Sequence, residues 1–305
     1  MSRGRGLDND FMEALLKEDG QLHSFLELVK SDHTLDLEIR ENYINIYYRG
    51  GNLVQIGPEK IDDKYKLDFD ENYFGKNGEK IEITIDNFPK MKQAMDNYLS
   101  KYLKLEREFQ QLIVRENNYS SIANSTDYYI ADIEYAENDS RSDMIAVKWK
   151  SDPVSKKKTV DLELALIEVK YGDESNTLRG NSGIIAHLKK AKEMNIKSLQ
   201  DEMKMCFNQK RELGLILELK HDIERFKEQP KIDFIFILIN HDPASSILKN
   251  EIDNIKPEDY PNLNIRFAVS NFMGYGLYED NIYDLKVFKD KFKDKFKDKI
   301  YNVKP

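Results

Sequence analysis

The chain has 305 residues, 40% hydrophobic and 33% charged, and carries a formal net charge of −8. That length and apolar content allow one large domain or two modest ones, and 17 Tyr with 15 Phe argue against a disordered chain. The acidic balance excludes a protein that coats long nucleic acid by overall charge, so any such contact must be local, through a basic patch or a metal ion.

Apolar residues recur near helical period over residues 8–30, with Gly20 as an interruption. The period then changes to two. "TLDLEIREN", "YINIYYRGG", "GGNLVQI", "KYKLDFD" and "EKIEITI" (79–85) read as strands of an antiparallel meander over 34–86, with Gly50-Gly51 and Gly57-Pro58 at turns. Pro89 opens a long helix whose one face carries Met91, Met95, Tyr98, Tyr102, Leu105, Phe109, Leu112 and Glu116. Three strands follow, at 127–137, 141–150 and 162–171, then a helix at about 182–196 and a helical segment at 198–227 divided at Gly214. "KIDFIFILINH" reads as a fully buried strand. A short helix near 244–255 and a strand in "NIRFAVSNF" complete the pattern. Three units are expected: an N-terminal helix and meander (1–88), a core (89–285) and a C-terminal amphipathic tail (286–305). The tail's stripe of Phe288, Phe292, Phe296 and Ile300 would dock on the body, or else recruit a protein partner or a second copy.

Within "LALIEVKYGD", Leu164, Leu166, Glu168 and Lys170 share one face of a strand, because side chains alternate. Two opposite charges thus interrupt a face that begins as core, and buried charges must be paired or bind something. The same Glu-x-Lys spacing at Glu202–Lys204 and Glu218–Lys220 lies in segments read as helical, where residues two apart do not face each other. If residues 141–150 and 162–171 form a hairpin, Asp143 lies opposite the Glu168 region, and two carboxylates cluster with a lysine. Two carboxylates with open positions suit Mg²⁺, which keeps several waters. The plain alternative is an exposed ion pair at a strand end, with Asp143 capping a turn; such pairs contribute little.

This order of elements over roughly 90–240, with Asp143 followed by Glu168-Val169-Lys170, resembles the PD-(D/E)XK nuclease superfamily, although Ser142 stands where its name places proline. The resemblance implies an α/β, restriction-endonuclease-like core, a central mixed β-sheet flanked by helices. It implies that Asp143, Glu168 and the Val169 carbonyl hold Mg²⁺ (or Mn²⁺), with Lys170 as the catalytic lysine. Many members add an acid from the first core helix; Glu116 fits, and Glu134 on the first strand is the other candidate. His187, on or beside the inward face of the following helix, would act in proton transfer or substrate contact, or else be a satisfied structural residue. The implied function is metal-dependent hydrolysis of nucleic acid, DNA before RNA, in defence or repair. The alternative is a non-catalytic protein that binds nucleic acid or protein on the same fold.

The loop "VKWKSDPVSKKK" places Lys148, Lys150, Lys156, Lys157 and Lys158 around Trp149, a candidate phosphate patch with a ring to stack on a base, or a solvated hairpin loop. The single Cys206 rules out an intramolecular disulfide and fits a reducing compartment. The first residues lack the apolar segment of a signal peptide, and no apolar run is long enough to span a membrane, so a cytoplasmic protein without membrane contact is expected. No G-x-x-x-x-G-K-[ST] pattern occurs, which argues against ATP coupling within this chain.

Overall fold

The computed structural model describes residues 4–59, 64–74, 81–119, 126–137, 140–216, 219–242, 245–270, 277, 279 and 282–290. Helix α1 (Asn9–Leu16) begins where the Asp8 carboxylate accepts from Phe11 N–H at 2.8 Å, and α2 (His23–Ser31) follows. Gly20 does separate them: a Cβ there would lie 2.8 Å from the Lys17 carbonyl oxygen. Strands β1 (Leu35–Ile39), β2 (Ile44–Tyr48), β3 (Gly51–Pro58) and β4 (Tyr65–Asp68) form an antiparallel sheet in that order. The fifth strand expected at 79–85 is not formed among its described residues. Residues 81–84 pair with nothing and 85–87 make a 3-10 turn, although Ile81, Ile83 and Ile85 still pack on the N-terminal core.

The long helix expected from Pro89 is two helices, α3 (Phe88–Leu99) and α4 (Leu105–Asn118). The break at 100–104 resets the helical phase. The inward face of α4 is therefore Gln110, Ile113, Val114 and Asn117, and not the continuation of the Met91–Met95 stripe.

The second sheet contains β5 (Tyr128–Glu137), β6 (Ser140–Lys148), β7 (Val160–Tyr171), β8 (Arg225–Phe226), β9 (Ile232–Ile239), β10 (Leu263–Ser270) and β11 (Ile282–Asp284). Its order is β11-β10-β9-β7-β6-β5, with β8 paired to the start of β7. β5, β6 and β7 are antiparallel neighbours, β7, β9 and β10 run parallel, and β11 is antiparallel to β10. The sheet is thus mixed. Helix α4 covers one face against β5 and β7. The short α5 (Ser175–Leu178), α6 (Ile184–Lys192), α7 (Ile196–Glu212) and α8 (Ser246–Asp253) cover the other.

Two further expectations are corrected. Past α7 the chain is not helical to 227: Gly214, at φ +74°, turns it out of the helix, and residues 225–226 join the sheet as β8. Strand β11 was not foreseen. Phe288 is buried and stacks on Phe267 with centroids 4.6 Å apart, whereas Phe292, Phe296 and Ile300 lie outside the described residues. Among the described residues no helix is long and apolar enough to cross a membrane.

Candidate active site

The β6–β7 hairpin is formed, with Met144 opposite Ile167 and Lys148 opposite Glu163. Beyond Met144 the ladder stops, and the side chain of Asp143 takes the place of a backbone partner: Val169 N–H donates to Asp143 Oδ2 at 2.8 Å. A strand residue turns its N–H and carbonyl to the same edge, so the Val169 carbonyl also faces the Asp143 side. Glu168 and Lys170 are each only 2% exposed, which removes the alternative of a solvated pair at a strand end. Lys170 Nζ donates to Glu168 Oε1 at 2.7 Å.

From α6, the His187 ring comes down on the same acid, Nε2 lying 3.1 Å from Glu168 Oε1. Burial first, then the Lys170 charge, pushes the His187 pKa down to about 4, so the ring is neutral near pH 7. Glu168 Oε1 receives one hydrogen bond, from Lys170, while Glu168 Oε2 and His187 Nδ1 are buried without an N–H or hydroxyl donor among the described residues. The Asp143 carboxyl lies within hydrogen-bonding reach of the Glu168 carboxyl. Burial, and then the Glu168 charge, raise Asp143 well above the usual carboxylate range, against the pull of Lys170 and the Val169 N–H. Glu168 is also raised, by burial, with Lys170 opposing.

These groups line a cleft of about 400 Å³ that also takes Glu106, Arg107 and Gln110 from α4 and Lys190 from α6. Glu116 is not among its lining residues. Ten residues at 1.5 Å each put it about 15 Å along α4 from Glu106. Glu106 is the acid that the first core helix delivers: its Oε1 accepts from Tyr171 N–H at 3.3 Å, and its charge is felt at Glu168. An acidic first turn was the available signal, since Glu106 and Glu108 open the helix, but it could be read only once the break before Leu105 was known. Glu134 does line the cleft. Its carboxylate, however, is held by Arg107 at 2.9 Å and by the Tyr47 hydroxyl at 3.0 Å, on a backbone with φ +52°.

The lysine loop lies elsewhere, beyond the far end of the hairpin. Trp149 offers no ring to a base. It is 1% exposed, packed on Tyr129 and Phe207, and its indole N–H donates to Ser155 O at 2.7 Å. Lys148 is tied to Asp233 and Glu279, and Lys156 to the Tyr129 hydroxyl. Lys150, Lys157 and Lys158 are exposed.

Among the described residues no group of three or more His, Cys, Asp or Glu side chains is arranged to hold a metal ion. The donors at the cleft are instead two carboxylates and a backbone carbonyl. They fit a hard cation such as Mg²⁺, which takes one or two protein carboxylates and completes its shell with water and substrate oxygens. Among the described residues, Glu168 Oε2 has no N–H or hydroxyl donor, and the Asp143 carboxyl is its neighbour. The chain matches no known family model, no curated protein and no solved structure.

Proposed function

We propose that this cleft hydrolyses phosphodiester bonds of nucleic acid, DNA before RNA, with the help of Mg²⁺ or Mn²⁺, on a restriction-endonuclease-like core. The observation that carries the reading is the pair of half-buried Asp143 and buried Glu168 beside Lys170, set where the β6–β7 ladder ends in the middle of a mixed sheet. Asp143, Glu168 and the Val169 carbonyl would hold the ion, which when bound lowers the pKa of water and stabilises charge on a phosphoryl oxygen. Lys170 supplies a fixed positive charge for the developing anion. Lys170 holds Glu168 by Oε1, with His187 Nε2 beside the same oxygen, which leaves Oε2 without an N–H donor among the described residues. Arg107 and Lys190 line the same cleft and would meet the flanking phosphates. Glu106 adds a third carboxylate at the edge.

One observation favours the alternative, a non-catalytic binding protein: Glu168 Oε1 is already taken by the Lys170 ammonium at 2.7 Å, with His187 Nε2 3.1 Å away. Cleavage assays on plasmid and single-stranded DNA and on RNA, with Mg²⁺ or Mn²⁺, separate the two. The wild type should cut. Glu168→Gln and Lys170→Met should each lower the rate by about a hundredfold or more while far-UV circular dichroism is unchanged. No cutting of any substrate with either metal would leave the binding reading.

A further inference from the structure

The linker between α3 and α4 presents an unusual surface. Tyr102 is 59% exposed and Leu103 64%, two adjacent large apolar side chains in solvent. They are flanked by Lys101 and Lys104, whose ammonium groups have no carboxylate or hydrogen-bond partner among the described residues. Nearby acids are already engaged: Asp96 and Glu108 both hold Arg49 at 2.9 Å. The two lysines therefore give this surface a positive charge that no acid among the described residues answers.

Tyr102 is supported from behind. Its ring leans on Tyr98 with centroids 4.8 Å apart at 37°, Tyr98 meets Tyr73 edge-on at 5.2 Å, and Tyr73 meets Phe69 at 5.5 Å. Tyr73 is buried and Tyr98 and Phe69 are half-buried, so the stack is anchored in the N-terminal core and Tyr102 is its most exposed ring. The inner end lies in the electrostatic field of Arg107 and Glu134, two residues of the cleft wall. The outer end is four residues before Glu106, a span of at most about 14 Å. That equals about four stacked nucleotides at 3.4 Å each. A scattered exposed Leu or Tyr is ordinary on any surface. A ring backed by other rings, flanked by two lysines and within about 14 Å of a cleft residue, is a stacking platform with phosphate contacts on both sides.

We propose that the Lys101–Lys104 linker is a platform for a single-stranded nucleic acid, on which an unpaired base stacks against Tyr102 while Lys101 and Lys104 take the adjacent phosphates and the strand continues into the cleft. The proposal rests on the nucleic-acid reading of the cleft for the nature of the polymer. It adds that the strand arrives unpaired and that the α3–α4 linker is what holds it.

The test is fluorescence anisotropy with labelled 12-mers of one sequence, as single-stranded DNA, single-stranded RNA and duplex DNA, on the full chain in EDTA so that no cutting occurs. Tyr102→Ala should weaken single-strand binding about five- to a hundredfold, Tyr102→Phe should restore it, and duplex binding should move far less. Lys101→Ala with Lys104→Ala should flatten the salt dependence of single-strand binding. The DNA and RNA arms identify which strand is preferred. Equal binding by wild type and Tyr102→Ala, or no single-strand binding at all, overturns the platform. So does a wild type that self-associates in sedimentation while Tyr102→Ala with Leu103→Ala does not, since the patch is then a protein interface. Binding without cutting in Mg²⁺ leaves the platform standing and removes the nuclease. Cutting with no effect of Tyr102→Ala on binding does the reverse.

Discussion

Asp143 and Glu168 bring two carboxylates together at the wall of the cleft, and near neutral pH that closeness opposes folding. Asp143 has a folded pKa raised by burial and by Glu168, so the native state binds more protons than the unfolded chain between the unfolded and folded values. Its contribution therefore favours folding as the pH falls through the raised value and opposes folding above it. His187 has the opposite sign. With a folded pKa of about 4 against 6.5, it costs stability as the pH drops through that interval. Asp143→Asn removes the first effect and keeps the second. Its thermal midpoint at pH 8 should exceed that of the wild type, each unit of the lost upward displacement being worth about 1.4 kcal/mol, and the advantage should shrink on acidification. Mg²⁺ should raise the midpoint of the wild type and not of the variant. A variant that melts below the wild type at pH 8, or that keeps the Mg²⁺ shift, would sink this account of the pair. At this scale the Glu168–Lys170 pair was legible, because the two-residue period of a strand gives both side chains one face and the hairpin brings Asp143 to them. Glu106 was not, because its orientation depends on a helix break that leaves no apolar gap in the sequence.

That break is itself held by an element from the other sheet. The β2–β3 turn puts Gly50 at φ +71°, where a Cβ would sit 2.5 Å from Arg107 O and Glu108 N, in the first turn of α4. The contact is fixed by Gly50 N–H donating to the buried Gln111 Oε1 at 2.8 Å, and by Arg49 bridging Glu108 to Asp96 of α3. The N-terminal hairpin therefore sets where the first turn of α4, with Glu106 and Arg107, meets the cleft. Gly50→Ala should cost at least the ~1–2 kcal/mol of a left-handed non-glycine residue, and the steric overlap adds to it. It should also lower cleavage more than its loss of stability accounts for, because Glu106 and Arg107 move with the helix. Urea unfolding gives the first quantity, and the rate measured well below the unfolding transition gives the second. Unchanged values of both would show that the turn does not position α4. Gly50-Gly51 marked the turn in the sequence. Nothing local showed that the turn seats a helix some 57 residues later.

The same long reach governs the molecule as a whole. β1 reads as a half-solvated strand, with Leu35, Leu37 and Ile39 on one face and Asp36, Glu38 and Arg40 on the other, yet its polar face is buried too. It is met by β5 and α7. Lys210 Nζ donates to Glu38 Oε1 at 2.6 Å, Arg40 to Asp132 Oδ1 at 2.5 Å and to Ile133 O at 3.0 Å, and Arg5 to Asp132 Oδ2 at 2.8 Å. Two acids, Glu38 and Asp132, thus meet three bases at the junction of the two sheets, where a period-two pattern predicts water. The partners lie 92 residues or more apart, except within β1 itself, so periodicity cannot reveal them. Such a network is costly to desolvate and more costly to break, since removing one member strands a buried charge. Burial already pushes Glu38 upward, with Lys210 opposing. Lys210→Met should therefore destabilise by about 3–5 kcal/mol, and adding Glu38→Gln should recover part of that, because the stranded carboxylate is gone. The single Trp149, buried in the sheet of β5 to β11, reports the core, and amide exchange in β1 to β3 reports the N-terminal unit. If the junction joins the two sheets into one folding unit, both probes shift together in Lys210→Met and share one urea midpoint. Separate midpoints, with Trp149 unmoved, would mean that the N-terminal sheet is an appendage and that the network stabilises only the contact between them.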